Sequence, residues 1–141
     1  MKRILLIATG GTIACKQTAS GLAPQLGAKE LLSYVRDRAE NVESIELFRM
    51  DSSNVQPEEW RAIAQAVADN MHNADGIVIT HGTDTMAYTS SMLSFMLRGI
   101  KIPVVLTGAQ YPMGMDGSDA AANLGDALTA ARELPGGVYI A

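Results

Sequence analysis

The chain has 141 residues, 48% hydrophobic and 18% charged, with a formal charge of −4 from 15 acidic and 11 basic side chains, the size and balance of one globular domain. A chain of this length buries roughly 68–70% of its unfolded surface, so it requires no structural metal or disulfide, and the lone Cys15 could close no internal bridge. The acidic balance, without clustered Lys and Arg, argues against a nucleic-acid footprint, and no apolar run approaches the ~20 residues of a membrane span.

Met-Lys-Arg followed by Ile4 to Ala8 imitates a signal peptide, then stops at Thr9-Gly10-Gly11, short of the roughly 7–15 apolar residues such a segment needs. The expected address is the cytosol, which also suits an unpaired thiol. Ile4 to Ala8 itself reads as a strand buried on both faces. Residues 15 to 27 read as a loop. Ala28 to Arg38 has helical spacing, and Ser44 to Met50 alternates loosely, as a strand near a sheet edge would. Pro57 with Glu58 and Glu59 opens a helix reaching Met71, because proline fits the first turn and carboxylates meet the positive end of the dipole. Gly76 to Thr80 is a short β-branched strand. Asp84 to Leu97 is helical, with Asp84 as a candidate N-cap; Met92, Leu93, Met96 and Leu97 fall at core spacing, as do Trp60, Ile63 and Val67 of the preceding helix. Pro103 to Thr107 is a fourth strand, Ser118 to Arg132 a helix with Ser118 as N-cap, and Gly137 to Ala141 begins a fifth strand.

Strands alternating with helices predict an α/β fold: a doubly wound, mostly parallel, Rossmann-like sheet flanked by helices. Such a sheet binds ligands beyond the carboxyl ends of its strands. Four loops fall there: Thr9 to Thr12, Asp51 to Asn54, His81 to Thr85, and Gly108 to Gln110. All carry small residues with hydroxyls, carboxylates or amides, and the segments entering the strands carry nothing comparable.

The first loop fails as a dinucleotide fingerprint, since TGGTIA lacks the third glycine and no helix follows. It is equally a tight turn capped by threonine, or a place where paired glycines let backbone N–H groups and the Thr12 hydroxyl approach a ligand. In HGTDT an N-cap accounts for Asp84 but not for Thr83, Thr85 and His81 crowding one turn. His81 fits a hydrogen-bonded turn residue better than a base. A triad with Ser90, Ser91 or Ser94 is disfavoured, because no nucleophile-elbow motif is present. Asp51, Ser52 and Ser53 fit a cap for the helix at Pro57. No zinc-ligand spacing occurs. A hydroxyl nucleophile needs activation, and of four lysines only Lys16 lies beyond a strand's carboxyl end.

TGGTIA at 9 to 14 and HGTDT at 81 to 85, with DSS at 51 to 53, MAYTSSMLSFML at 86 to 97, VVLTGAQ at 104 to 110 and SDAAANL at 118 to 124, resemble the bacterial-type L-asparaginase and glutaminase-asparaginase family, and the cytoplasmic type I branch in particular. The resemblance covers the whole chain, residues 1 to 141, as that family's N-terminal catalytic-type domain. It implies hydrolysis of the side-chain amide of L-asparagine, and possibly L-glutamine, to the acid and ammonia. No cofactor or metal is implied, no nucleic-acid or membrane partner, and a homo-oligomer, dimer or tetramer, in the full-length form. By motif, Thr12 matches the nucleophile that gives an acyl-enzyme. Thr83 matches a second catalytic threonine, and Asp84 the aspartate that binds the substrate's α-ammonium and belongs to the second catalytic triad. Ser52 and Ser53 align with positions that hold the α-carboxylate, and Ala109 with a position close to the scissile amide.

Two departures accompany the match. The family's lid tyrosine is replaced by Leu22 in Gly21-Leu22-Ala23-Pro24, and Tyr34 and Tyr88 lie in predicted helices. The family's catalytic lysine lies beyond the fifth strand, where this chain stops, as does the C-terminal domain. The expectation is therefore a chain with little or no activity by itself. Two other functions fit: an amino-acid binding module without turnover, or the ammonia-releasing component of a tRNA-dependent amidotransferase. The latter usually carries an extra N-terminal domain, for which eight residues before Thr9 leave no room.

Overall fold

A computed structural model describes residues 1–141. In chain order it contains β1 (Ile4–Gly10), a hairpin of β2 (Cys15–Thr18) and β3 (Gly21–Pro24), α1 (Ala28–Ser33), β4 (Val42–Met50), α2 (Pro57–Asn70), β5 (Gly76–Thr80), α3 (Met86–Met96), β6 (Pro103–Thr107), α4 (Ala120–Glu133) and β7 (Gly137–Ile140). Every residue of β1, β5 and β6 is buried, as continuous apolar runs covered on both faces require.

Five strands form one parallel sheet in the order β4-β1-β5-β6-β7. The period of two divides the core between its faces. Ile4, Leu6, Ala8, Val78 and Val105 pack with Leu31 of α1 and Leu124, Ala127 and Leu128 of α4. Leu5, Ile7, Ile77, Ile79, Val104 and Leu106 pack with Ile63 and Val67 of α2 and Met86 and Leu93 of α3. The expected doubly wound α/β sheet is the fold observed, with β4 at one edge as its weaker alternation suggests. Because the chain runs from β1 outward to β4 and then returns to the other side at β5, the order of strands reverses between β1 and β5. The crevice above that switch point is where such sheets hold ligands.

Three elements differ from the expectation. The helix expected over residues 28–38 ends at Ser33 and continues as turns. Residues expected to be a loop form the β2–β3 hairpin, with Cys15 opposite Pro24 and Thr18 opposite Gly21; the Thr18 hydroxyl donates to the Gly21 carbonyl at 2.6 Å and closes the turn. On α3 only Leu93 of the four expected core residues is buried, while Met92 and Met96 are exposed beside Tyr88 and Phe95.

Two truncations test this assignment of layers. Leu124→Ala, at a fully buried site, is expected to cost about 2–5 kcal/mol and lower the urea midpoint with an unchanged slope. Phe95→Ala, at a residue 77% exposed, is expected to cost no more than about 0.5 kcal/mol.

Candidate active site

Three loops meet above the switch point because glycine lets their backbones touch. Gly10 and Gly11 have φ of 105° and 80°, a region L side chains rarely adopt. A Cβ on Gly11 would strike the backbone of His81 and Gly82, and a Cβ on Gly82 would strike the Ser52 side chain. Hydrogen bonds fix the same junction: Gly11 N–H donates to Met50 O at 3.0 Å, the Thr9 hydroxyl to Thr80 O at 2.6 Å, and the Thr85 hydroxyl to Ser52 O at 2.8 Å.

The result is a cavity of about 100 Å³ lined by Gly11, Thr12, Cys15, Leu22, Pro24, Asp51, Ser52, Gly82, Thr83 and Asp84. Of the residues singled out from the sequence, Thr12, Ser52, Thr83 and Asp84 come together here. Ser53 does not line it; its N–H is tied to Asp51 Oδ1 at 2.9 Å. Ala109 does not either, being buried in the core with Ile13 and Met113. Its loop is held from α4: the Asp119 carboxylate accepts the N–H groups of Gln110 and Tyr111 at 2.9 and 3.1 Å, which keeps that carboxyl below its ordinary pKa.

The capping alternatives resolve on the same geometry. Gly11, which has no side chain to cap with, is the N-cap of a short 3₁₀ turn, Thr12–Ala14, so Thr12 does not hold the cap position. Asp84 does not cap α3 either; Thr85 holds that position, again without a side-chain bond, and the Asp84 carboxylate stands exposed at the cavity. Asp51 caps the 3₁₀ turn Ser52–Asn54 rather than the helix at Pro57, whose first turn is secured by Gln56 N–H donating to Glu59 Oε2 at 2.6 Å.

Asp51, which the sequence offered as a cap, and Cys15, to which it gave no role, also line the cavity. Burial raises the Cys15 pKa, and the Asp51 carboxylate raises it further, so the thiol stays protonated and is a poor nucleophile. Leu22 brings the hairpin over the cavity while remaining 51% exposed. No tyrosine, lysine, arginine or histidine lines the cavity. Lys16 is committed elsewhere, its Nζ 3.2 Å from Glu30 Oε2, and this contact is the main cause holding the Glu30 carboxyl below its ordinary pKa. The serines of α3 are also occupied: Ser90 and Ser91 donate to Ala87 O, and Ser94 to Ser91 O.

His81 is buried beneath the cavity floor. Its Nδ1 lies 2.7 Å from Gly82 O and its Nε2 2.9 Å from the Thr89 hydroxyl. A carbonyl only accepts, so Nδ1 carries the proton and Nε2 accepts from Thr89. Burial pushes the imidazole below its ordinary 6.5, outweighing the opposite influence of the Gly82 carbonyl. His81 is thus a neutral, fully hydrogen-bonded turn residue, as its sequence context suggested.

Residues 3–141 match the family model described as Asparaginase, N-terminal. The L-asparaginase of Thermococcus kodakarensis is 46% identical over 142 residues, covering 99% of this chain and 43% of the relative. Its thermostable L-asparaginase structure superposes with a TM-score of 0.91 at 47% identity, covering 99% of this chain and 43% of that one. A glutamyl-tRNA(Gln) amidotransferase component from Methanococcus vannielii is 37% identical over 145 residues, covering 99% of this chain and 34% of the relative. A probable cytoplasmic L-asparaginase from Campylobacter jejuni superposes with a TM-score of 0.87 at 33% identity, covering 100% of this chain and 46% of that one. The chain therefore spans less than half the length of the curated relatives it matches.

The glycine junction and the histidine beneath it can each be tested by substitution. Gly82→Ala is expected to cost about 1–3 kcal/mol by overpacking, most of it recovered when Ser52→Gly removes the obstructing side chain; Gly11→Ala, obstructed by backbone, is not rescued that way. Denaturant titration of the single and double variants measures the coupling. For His81, the unfolded chain takes up a proton below about pH 6.5 that the folded chain refuses, so stability is level above that pH and declines as pH falls toward the lowered folded value. Melting curves from about pH 7.5 to 5.5, spanning the ordinary histidine pKa, should show this decline, and His81→Asn should remove its share.

Proposed function

The chain belongs to the asparaginase family, and from that premise we propose that it carries the nucleophile half of an L-asparagine amidohydrolase. The observation that supports this best is the convergence of Thr12, Ser52, Thr83 and Asp84, from loops after three strands, on one cavity at the sheet's switch point. A cavity holding the carboxylates of Asp51 and Asp84 and no cationic side chain suits a ligand that brings its own positive charge, as the α-ammonium of an amino acid does.

In this reading Asp84 takes the α-ammonium and Ser52 the α-carboxylate. The Thr12 oxygen attacks the amide carbon, the carbon–nitrogen bond breaks, and the proton lost by the hydroxyl leaves with the nitrogen as ammonia; water then hydrolyses the acyl-enzyme. The Thr12 and Thr83 N–H groups have no acceptor within the chain, so both are free to face the negative charge that develops on the carbonyl oxygen. Neither Ser53 nor Ala109 lines the cavity, so this reading gives them no direct contact with the ligand. With no basic side chain there to receive the Thr12 proton, turnover by these 141 residues alone is slow. No helix is long and apolar enough to cross a membrane. The likeness to a probable cytoplasmic L-asparaginase supports a cytoplasmic site of action, and we extend the proposal to a homo-oligomer.

A second reading has its own support in the amidotransferase relatives, at 37% and 40% identity, in which ammonia released at the same cavity would serve amidation of a tRNA-linked amino acid. The higher identity of the L-asparaginase favours the first.

Calorimetry with L-aspartate, alongside an ammonia assay with L-asparagine, tests the proposal on the 141-residue chain. Binding with little or no ammonia release is expected. Asp84→Asn should weaken binding about tenfold or more, the scale of a hydrogen bond to a charged group, while Thr12→Ala leaves binding within a few-fold. An intact fold with no affinity for L-aspartate or L-asparagine would count against the assignment.

A further inference from the structure

Three polar side chains form a continuous chain beneath the cavity, and none of them lines it. Trp60 Nε1 donates to the Thr89 hydroxyl at 3.0 Å, that hydroxyl meets His81 Nε2 at 2.9 Å, and His81 Nδ1 meets Gly82 O at 2.7 Å. The outer two bonds are fixed by their ends, and the neutral state of the buried His81 fixes the one between them. An indole N–H can only donate and a carbonyl can only accept, so the order Trp60 to Thr89 to His81 to Gly82 has one proton arrangement. Thr89 and His81 are buried, where an unmet polar atom is costly, and in this arrangement each ring nitrogen and the hydroxyl is engaged.

The bond to Gly82 also constrains the far side of that peptide. No peptide bond in the chain is cis, and in a planar trans peptide the C=O and the following N–H point in opposite directions. With the Gly82 carbonyl turned toward the His81 ring, the Thr83 N–H points the other way; Thr83 lines the cavity, and its N–H finds no acceptor in the chain. We propose that Trp60, Thr89 and His81 are positioning residues: a one-way hydrogen-bond relay that sets the plane of the Gly82–Thr83 peptide so that the Thr83 N–H faces the ligand. The value of that N–H for catalysis rests on the amidohydrolase reading; its orientation does not.

The relay ties together three elements that already share one hydrophobic core. Trp60 sits on α2, Thr89 on α3 and His81 at the end of β5, so the tilt of one peptide in the third loop is referred to two helices on the same face of the sheet. The His81 N–H adds a tether to β6 by donating to Thr107 O at 2.9 Å. Backbone and side chain of His81 are thus both held, and the peptide that follows has little freedom to rotate.

NMR on the isotopically labelled chain tests this directly. Long-range proton–nitrogen correlation is expected to place the His81 proton on Nδ1 and leave Nε2 bare. Thr89→Val, which keeps the shape and removes the hydroxyl, should shift both the Thr83 amide and the indole N–H of Trp60, the single tryptophan. Thr89→Ser should return both toward their original positions. L-Aspartate affinity should fall about three- to tenfold in Thr89→Val, the scale of one net hydrogen bond, and recover in Thr89→Ser. A His81 proton on Nε2, or a Thr83 amide unmoved in a folded Thr89→Val, overturns the relay. If Thr89→Val does not fold, the tautomer and a Trp60→Phe variant decide: the relay requires the Thr83 amide to move when the indole donor is lost, and an unmoved amide rejects it. Should the unaltered chain bind no L-aspartate, the amidohydrolase reading loses its support while the amide shifts still judge the relay.

Discussion

The contact on which this molecule depends is backbone against backbone, at Gly11 and Gly82. Parallel neighbouring strands lie nearly 5 Å apart, and side chains on the loops above them would ordinarily hold those loops further away. Here the absence of a Cβ at Gly11 lets the first loop rest on the His81–Gly82 backbone, and its absence at Gly82 lets the third loop rest on Ser52 of the second. A cavity of about 100 Å³ can be walled by threonine, serine and aspartate only because the loops behind those residues occupy so little space. The positive φ of Gly11 serves the same end, turning the chain sharply enough for Thr12 to start a 3₁₀ turn at the cavity's edge.

Much of the fold was legible because its signals are local. Runs such as Ile4 to Ala8 and Gly76 to Thr80 announce buried strands by composition, and Pro57 with Glu59 announces a helix start, which the bond from Gln56 N–H to Glu59 bears out. The β2–β3 hairpin was not legible, since four-residue strands paired only with each other show no apolar alternation; Cys15 alone of Cys15–Thr18 is buried. The caps misled for a related reason. Asp84 and Asp51 are residue types that close helices, and the sequence cannot say whether such a carboxylate turns back to its own chain or out to a cavity. The exposed Met92 and Met96 show the limit of periodicity on a helix that is apolar nearly all round, where spacing marks a face but not the face that is covered.

The site shows a parallel division. Thr12, Ser52, Thr83 and Asp84 could be chosen because small polar residues beyond strand ends are conspicuous in an α/β pattern. Asp51 stood in one of those loops but read as a cap, and Cys15 carried no signal, since its approach depends on the way the hairpin folds over the cavity. Trp60 looked like core by its spacing, and its ring does meet α3, yet its N–H ends in a hydrogen bond to Thr89. What distinguishes a core tryptophan from a relay member is a single contact to a residue 29 positions away, and no local pattern carries that information.

Charge decides what the cavity can hold. Asp51 and Asp84 line it without a cation, and the one lysine near enough by sequence, Lys16, is drawn off to Glu30 on the outer side of the hairpin. An ammonium-bearing ligand brings to this cavity the positive charge that its lining lacks. The N–H groups of Thr12 and Thr83, which have no acceptor in the chain, are positive ends of peptide dipoles. The loop backbones thus bring positive dipole ends to a cavity otherwise lined by carboxylates, and in the proposed reading a zwitterionic amide presents its ammonium to Asp84 and its carbonyl oxygen to those N–H groups. Neutral His81 adds no charge from below. A charged imidazole under Gly82 would donate from Nε2 to Thr89 and leave the Thr89 proton to find another acceptor, whereas the neutral ring transmits only orientation, through the carbonyl it holds.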